Sequence, residues 1–162
     1  MAHKSEDQEV WDLIKDAQVG MLITRDGRSL RARPMQLVQK NYEGKIWFFT
    51  RVASEKVLEA LGEDVVCLTF SEPRHNTYVS LSGVARLSYD RKLMDGLWNS
   101  FTNAWFPEGV ESPDVALLEI EVYQGEYWKP DENKILRAYE LAKANYRHQL
   151  PDIGKNQKFD RH

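Results

Sequence analysis

Short connections between the predicted strands constrain the fold of this chain more than any other feature of its sequence. Asp26 and Gly27 separate two apolar stretches and form a strong hairpin signal, because both central positions of a type I′ turn need positive φ. Residues 41–44 form a second short turn. Parallel neighbours need a crossover of about a dozen residues or more, so the sequence predicts a mainly antiparallel sheet.

The spacing of apolar residues predicts six strands and four helices within one domain, residues 1–150. Pro34 lacks an N–H and is expected at a sheet edge or an irregularity, and Gly83 is expected at a bulge. This element order fits a small barrel with helices or an open α+β sheet. Residues 151–162 are expected to form a polar, mobile tail. The predicted strands are 19–24, 30–39, 45–50, 65–70, 77–89 and 115–123, with 125–128 as an extension, and the helices are 6–17, 54–61, 91–105 and 131–146.

Composition narrows the possible classes of function. The net charge of −3 argues against general nucleic-acid binding, and no apolar run approaches the roughly 20 residues that span a bilayer. The N-terminal stretch has no apolar signal-peptide core, and the single Cys67 lies in an apolar run. We therefore expect a cytoplasmic protein with a buried, inert thiol. The four histidines lack metal-ligand spacing and no nucleophile motif is present, so if the chain is an enzyme, a cofactor is expected to carry the reaction.

The stretch FFTRVASEK, residues 48–56, is a candidate anion site where a strand meets a helix. Ser54 can cap the helix or donate to an anion, and Lys56 opposes the helix dipole unless an anion compensates it. Arg31 and Arg33, two residues apart, point to one face of the preceding strand. The alternative is a capped helix beside solvated charges, which composition alone favours.

Large aromatic residues stand at the ends of predicted elements, in Trp105-Phe106-Pro107 and in Tyr127-Trp128. At such positions their rings can form walls for a flat ligand. Most aromatic residues in proteins belong to a core or to a subunit interface, so this second interpretation stays open.

Several segments, in this order, resemble the FMN-binding split-barrel superfamily, the fold of pyridoxamine 5′-phosphate oxidase, and especially its general stress protein branch. The resemblance extends over roughly residues 9–130. It implies a six- to seven-stranded antiparallel split barrel, and a homodimer with two flavin sites across the interface. The predicted helix 91–105 and strand 77–89 are candidates for part of that interface. The segments are VGMLIT, RARPMQL, IWFFTRVASEK, YVSLSGVARL, WFPEG and LLEIEVYQGEYW.

The resemblance also implies the contacts of a bound flavin, FMN or alternatively FAD. Arg33 corresponds to the arginine near the phosphate and ribityl chain, and Ser54 and Lys56 correspond to residues that hold the phosphate. Glu55 stands where related oxidases often have a cation, a departure that would weaken phosphate binding unless Arg31 or Arg51 substitutes for that cation. The other implied flavin contacts are Pro34, Met35, Gln36, Phe49, Thr50 and Trp128, with Trp105 as an aromatic wall, and Tyr78 and Ser80 from the second subunit.

Departures from the oxidases limit the expected activity. Beyond Trp128 the oxidases carry an Arg-Leu-His-Asp-Arg segment that grips the pyridoxal substrate, whereas this chain reads KPDENKILRAYELAK. Oxidation of pyridoxamine phosphate is therefore not expected. Three hypotheses stay open: an FMN-dependent oxidoreductase that takes hydride from NAD(P)H or a small substrate, a non-catalytic flavin carrier or stress sensor, and a split barrel with another cofactor such as a deazaflavin or haem.

Overall fold

The computed structural model describes residues 4–54, 57, 59, 61, 65–130, 143, 147 and 154–161. Lys56, and most of the helix predicted over 131–146, lie outside these residues. The helices bounded within the described residues are α1 Glu6–Ile14, α2 Arg91–Leu97 and α3 Ser100–Trp105, with a 3₁₀ turn at Pro73–His75. The strands are β1 Val19–Asp26, β2 Ser29–Gln36, β3 Lys45–Arg51, β4 Val65–Glu72, β5 Thr77–Ser88, β6 Val115–Pro130 and β7 Gly154–Asp160.

These seven strands form one sheet in the order β2-β1-β4-β5-β6-β3, and β7 also pairs with β6. Every pairing is antiparallel, which confirms the prediction from the short connections. The long strand β6 pairs with β5 along most of its length. On its other side it pairs first with β3 and then with β7. β6 therefore joins β5 on one of its sides to β3 and β7 on the other.

The sheet does not close, because β2 and β3 form its two ends. A side chain caps the free edge of β3. The amide of Gln39 donates to the carbonyl oxygen of Lys45 at 2.8 Å and accepts from the backbone N–H of Trp47 at 3.0 Å. Gln39 is 6% exposed, so it satisfies two backbone groups that would otherwise be buried without a partner.

Local signals in the sequence place the strands well. The predicted hairpin joins β1 to β2, but Asp26 pairs with Ser29, so the turn residues are Gly27 and Arg28. Gly27 has φ +60° at the first central position, as in a type II′ turn, instead of the type I′ turn predicted. Pro34 lies on the edge strand β2, where its missing N–H removes no ladder bond, and the register of β5 shifts between Ser82 and Gly83, as predicted.

Two hydrophobic clusters stabilise the fold, and β3 contributes to both. Phe48 lies in the larger cluster with Leu22, Leu68 and Ile120. Phe49, on the opposite face of the strand, packs in a smaller cluster under α2 with residues such as Met94 and Leu117. A strand buried on both faces reads as a continuous apolar run, which explains the Phe-Phe pair. Burying each ring contributes about 1.5–3 kcal/mol.

The helix predicted over 91–105 is two helices in the structure. Trp98 ends α2 with an extended backbone, and the Asn99 side chain caps α3 by accepting from the N–H of Thr102 at 2.9 Å. Asn competes with the helical backbone and favours caps, so it breaks a helix whose apolar spacing continues. The break lets Trp98 turn its ring onto Phe49.

The tail prediction is wrong for residues 154–160, which form β7 along the second half of β6. Six of the seven residues in this strand are exposed, so period-2 burial gave no signal. Its anchor is Phe159, which is 7% exposed and whose ring lies against Gly125, where a Cβ would collide with it. The hydroxyl of Tyr127 in β6 also donates a hydrogen bond to the Gln157 side chain of β7 at 2.9 Å.

Candidate functional site

An open cleft of about 330 Å³ lies beside the edge strand β2. It brings together five predicted site residues from three elements: Pro34, Met35 and Gln36 from β2, Phe49 from β3 and Trp105 from α3. The lining is mostly apolar, and none of its described side chains is titratable. The complete described lining is Val19, Pro34, Met35, Gln36, Val38, Phe49, Phe101, Thr102, Trp105 and Phe106.

Packing among aromatic rings holds the inner wall of this cleft. The ring of Phe49 meets Trp98 edge to face, with 5.0 Å between centroids, and lies 6.4 Å from Phe106. Each such pair contributes about 0.5–1.5 kcal/mol beyond the area that it buries. The outer wall is different, because Trp105 is 66% exposed and Phe101 48% exposed, 6.2 Å apart. The cleft thus has a packed floor and an aromatic rim open to solvent.

An ion pair fastens this rim to the end of β3. Arg51 is paired with Glu108, donates to the carbonyl oxygen of Trp105 at 3.2 Å, and lies over the ring of Phe106 at 5.2 Å. The hydrogen bond from Arg51 holds the pKa of Glu108 below its ordinary value. Arg51, which the sequence offered as a substitute phosphate ligand, therefore supports the aromatic wall.

The predicted arginines of β2 lie in a compact polar cluster, which we call the arginine cluster: Arg31, Arg33, Thr24 and Glu59. Arg33 donates to the hydroxyl of Thr24 at 2.8 Å and to Glu59 Oε2 at 2.5 Å. Arg31 donates to Glu59 Oε1 at 2.9 Å, and the Thr24 hydroxyl donates to Oε2 at 2.7 Å. The alternation of β2 places both arginines on one face, as predicted. The sequence reading missed Glu59.

The contacts in this cluster favour the charged form of Glu59. The hydrogen bond from Thr24, and then the one from Arg33, lower the pKa of its carboxyl. Its side chain is 13% exposed and that of Arg33 is 18% exposed. Charge-assisted bonds in a partly dehydrated setting are stronger than exposed ones, so the cluster is a fixed structural unit of the chain.

Two predicted hydroxyls meet at the end of β3. Thr50 is fully buried, and its Oγ lies 3.3 Å from the Oγ of Ser54, a hydrogen bond that either can donate. Ser54 itself is only partly buried. Thr50 directly follows Phe49 of the cleft, just as Pro34 of the cleft directly follows Arg33 of the arginine cluster. Each strand therefore has a polar group one residue from the apolar cleft.

The remaining predicted residues lie elsewhere in the sheet. Tyr78 of β5 and Trp128 of β6 are paired across the strands and are 41% and 39% exposed. Ser80 is partly buried and lies 3.6 Å from the sulfur of Cys67, which is itself partly exposed and not the fully buried thiol predicted. None of the three predicted residues lines the cleft. The resemblance assigned Tyr78 and Ser80 to the site of a second subunit.

Other features of the chain lie apart from the cleft. His75 is exposed in the 3₁₀ turn. Among the described residues, no group of histidine, cysteine or carboxylate side chains could hold a metal ion. No helix in the described part of the chain is long and apolar enough to cross a bilayer. Tyr127 is core, since it is 4% exposed.

The sequence matches the family described as "Pyridoxamine 5′-phosphate oxidase like" over residues 5–152. The chain belongs to this family. Among solved structures it is similar to a protein assigned as general stress protein 26 from Jannaschia sp. CCS1, with 29% identity and a TM-score of 0.74. That similarity covers 94% of this chain and 96% of the other. The seven-stranded antiparallel sheet thus confirms the split-barrel fold of the pyridoxamine 5′-phosphate oxidase like family.

Two further relatives of this family widen the comparison. The general stress FMN/FAD binding protein of Xanthomonas citri is 28% identical, with a TM-score of 0.70, over 81% of this chain and 93% of the other. Protein bli-3 of Neurospora crassa is 24% identical over 152 residues, 85% of this chain and 73% of the relative. The general stress protein branch named from sequence is therefore confirmed.

Proposed function

We propose that the chain is a flavin-binding general stress protein that uses FMN, or alternatively FAD, as an oxidoreductase cofactor. The observation that carries this proposal is the cleft, which unites Pro34, Met35 and Gln36 with the aromatic residues Phe49 and Trp105. A flat tricyclic ring needs apolar walls of this kind, with a few polar groups at its margin. The Xanthomonas citri relative is an FMN/FAD binding protein, which supports the same assignment.

The cleft has room for the ring system of a flavin, but less room than the whole cofactor needs. A volume of about 330 Å³ lies at the lower end of the range for small-molecule sites, about 300–1,000 Å³. The ribityl chain and phosphate would lie outside it, toward Arg33 on one strand and Thr50 on the other. Ser54, Lys56 and Arg31 complete the proposed phosphate end.

A homodimer would complete the proposed site. Tyr78, Ser80 and Trp128 do not line the cleft of their own chain, and two of the three are exposed aromatics. We place them against the flavin of the second copy, which would cover the open aromatic rim. Sedimentation tests this part: a monomer that binds FMN at full affinity would contradict a shared site.

The bound flavin would supply the redox chemistry, by accepting and releasing a pair of electrons. The chain's own part is to bind, orient and dehydrate the ring. Met35 and Phe49 form the apolar floor, and the hydroxyl of Thr102 already donates to Asn99 at 3.1 Å. Hydride from NAD(P)H needs no acid or base from the protein, which suits a described lining without titratable groups.

Trp105→Ala tests the assignment of the ring. The side chain is 66% exposed, so its loss leaves the core intact, yet it removes one wall of the cleft. FMN and riboflavin share the ring, so both dissociation constants should rise about tenfold, equivalent to 1.4 kcal/mol. Tyr89→Ala, an aromatic that is 59% exposed and lies outside the cleft lining, is the matched control. Unchanged binding in Trp105→Ala would remove this cleft as the ring site.

A non-catalytic flavin carrier or stress sensor is the second candidate. The observation in its favour is that the described cleft lining holds no charged side chain with which to position a substrate. Oxidation of NAD(P)H in the presence of excess FMN separates the two candidates. Turnover above that of free FMN supports the oxidoreductase, and tight binding without turnover supports the carrier.

A further inference from the structure

The carboxylate of Glu59 binds the guanidinium groups of both arginines in the arginine cluster. Each of its two oxygens accepts from a different guanidinium, Oε1 from Arg31 at 2.9 Å and Oε2 from Arg33 at 2.5 Å. Oε2 also accepts from the hydroxyl of Thr24 at 2.7 Å. Two oxygens at this spacing, held by guanidinium donors, reproduce the way in which proteins bind two oxygens of a phosphate.

The described residues of this cluster already pair each guanidinium with a carboxylate. Besides Glu59, Asp26 lies 3.8 Å from Arg31, so among the described residues two carboxylates stand beside the two guanidiniums. A phosphate monoester placed on Arg31 and Arg33 would add about 1.5 to 2 negative charges beside Glu59. At a separation of 4 Å two like charges near a protein surface repel with an energy that outweighs one ordinary hydrogen bond. An incoming phosphate must therefore displace the Glu59 carboxylate or lie beside it at a cost.

We propose that Glu59 sets the ligand specificity of the flavin site, by holding the two guanidiniums that a ligand phosphate would otherwise use. The inference rests on the proposed flavin-binding function. It predicts that the site discriminates weakly between flavins with a phosphate and flavins without one. With Arg31 and Arg33 held, Ser54 and Lys56 are the proposed groups left for a phosphate, so the chain would favour FMN over riboflavin only modestly and ring contacts in the cleft would supply most of the affinity.

A purely structural role is the competing interpretation, in which Glu59 only fastens its segment to the hairpin of β1 and β2. The two roles differ in what they predict for a phosphate. A fastening residue, when lost, weakens FMN and riboflavin binding together. A residue that competes with the phosphate, when neutralised, strengthens FMN binding alone.

Glu59→Gln provides the test, because the amide keeps the size and one acceptor oxygen but removes the charge. Quenching of flavin fluorescence gives the dissociation constants of FMN and riboflavin. We expect the FMN constant to fall about tenfold or more, while that of riboflavin changes less than about twofold. The control is Asp12→Asn on α1, where a carboxylate also lies between two cations, Lys4 at 2.7 Å and Lys15 at 3.1 Å. It changes the net charge equally and should leave both constants unchanged.

The wild-type chain gives an independent measurement that does not depend on the folding of a variant. We expect its FMN and riboflavin constants to differ by less than about tenfold, whereas two uncompensated arginines would favour FMN by more than about a hundredfold. A wild-type preference of that larger size overturns the proposal, as does a Glu59→Gln variant without stronger FMN binding. Flavin binding with either result leaves the proposed function intact, whereas absence of binding to both flavins overturns both.

Discussion

The first and second halves of strand β2 differ in what their side chains contact. In its first half, Arg31 donates to Glu59, and Arg33 donates to both Thr24 and Glu59 of the same chain. At its end, Pro34, Met35 and Gln36 face an open apolar cleft. The arginine cluster is closed within the chain, and the cleft leaves aromatic surface uncovered. The open cleft is therefore a better candidate for a ligand site than the paired arginines.

Phe49→Ala should have the largest effect. Phe49 is 7% exposed and packs against Trp98 and Phe106, so its truncation should lower the free energy of unfolding by about 3–5 kcal/mol. Urea denaturation measures this loss. Phe101→Ala is the matched control within the same cleft, because its ring is 48% exposed and should cost less than about 1 kcal/mol. Equal losses would show that the cleft has no packed floor.

Thr24→Val tests whether the arginine cluster is as closed as it looks. The side chain is 2% exposed, and its hydroxyl both donates to Glu59 and accepts from Arg33. The variant keeps the shape but removes both bonds, so we expect a loss of about 1–3 kcal/mol in unfolding free energy. Thr24→Ser keeps the hydroxyl and should lose less. A neutral Thr24→Val would mean that water replaces these bonds freely.

Acid should weaken the arginine cluster before it affects the cleft. The pKa of Glu59 is lowered in the folded chain from its ordinary 4.5. A depressed folded pKa gives stability that is complete above the unfolded value and is lost as pH falls through the folded one. The melting temperature should therefore fall less steeply below pH 4.5 in Glu59→Gln than in the wild type. Parallel pH profiles would contradict the part assigned to Glu59.

The ion pair of Arg51 and Glu108 should have the smallest effect on stability. The side chains are 49% and 29% exposed, and exposed pairs typically contribute about 0–1 kcal/mol. A double-mutant cycle with Arg51→Met and Glu108→Gln measures the coupling energy in urea. A coupling well above this range would mean that the aromatic rim is fastened as firmly as the floor.

Much of the sheet could be predicted because short turns and apolar alternation are local signals. Gly27 and Gly83 marked a hairpin and a bulge, and Pro34 marked an edge strand, all before any contact was known. The cleft residues of β2 and β3 were also predictable, through the resemblance of their segments to a known family. Without that resemblance, the composition of residues 48–56 favours a capped helix beside solvated charges over an anion site.

The errors have a common physical origin in contacts between distant residues. Glu59 is 26 residues from Arg33 in the sequence, so nothing local revealed that its carboxylate would meet both arginines. Strand β7 has one buried residue, Phe159, and depends on the space that Gly125 leaves in β6. The break at Asn99 is a cap within an uninterrupted apolar spacing. Each of these three features depends on the folded structure, which the spacing of apolar residues along the sequence does not reveal.

Titration of the purified chain with FMN tests the central claim most directly, since the cleft is proposed to hold the flavin ring. The absorption bands of the flavin and its fluorescence should change and saturate, because the ring leaves water for the apolar floor of Met35 and Phe49. The same titration with Trp105→Ala should saturate at higher FMN. An unperturbed flavin spectrum at every FMN concentration, in a chain shown to be folded, would contradict the account.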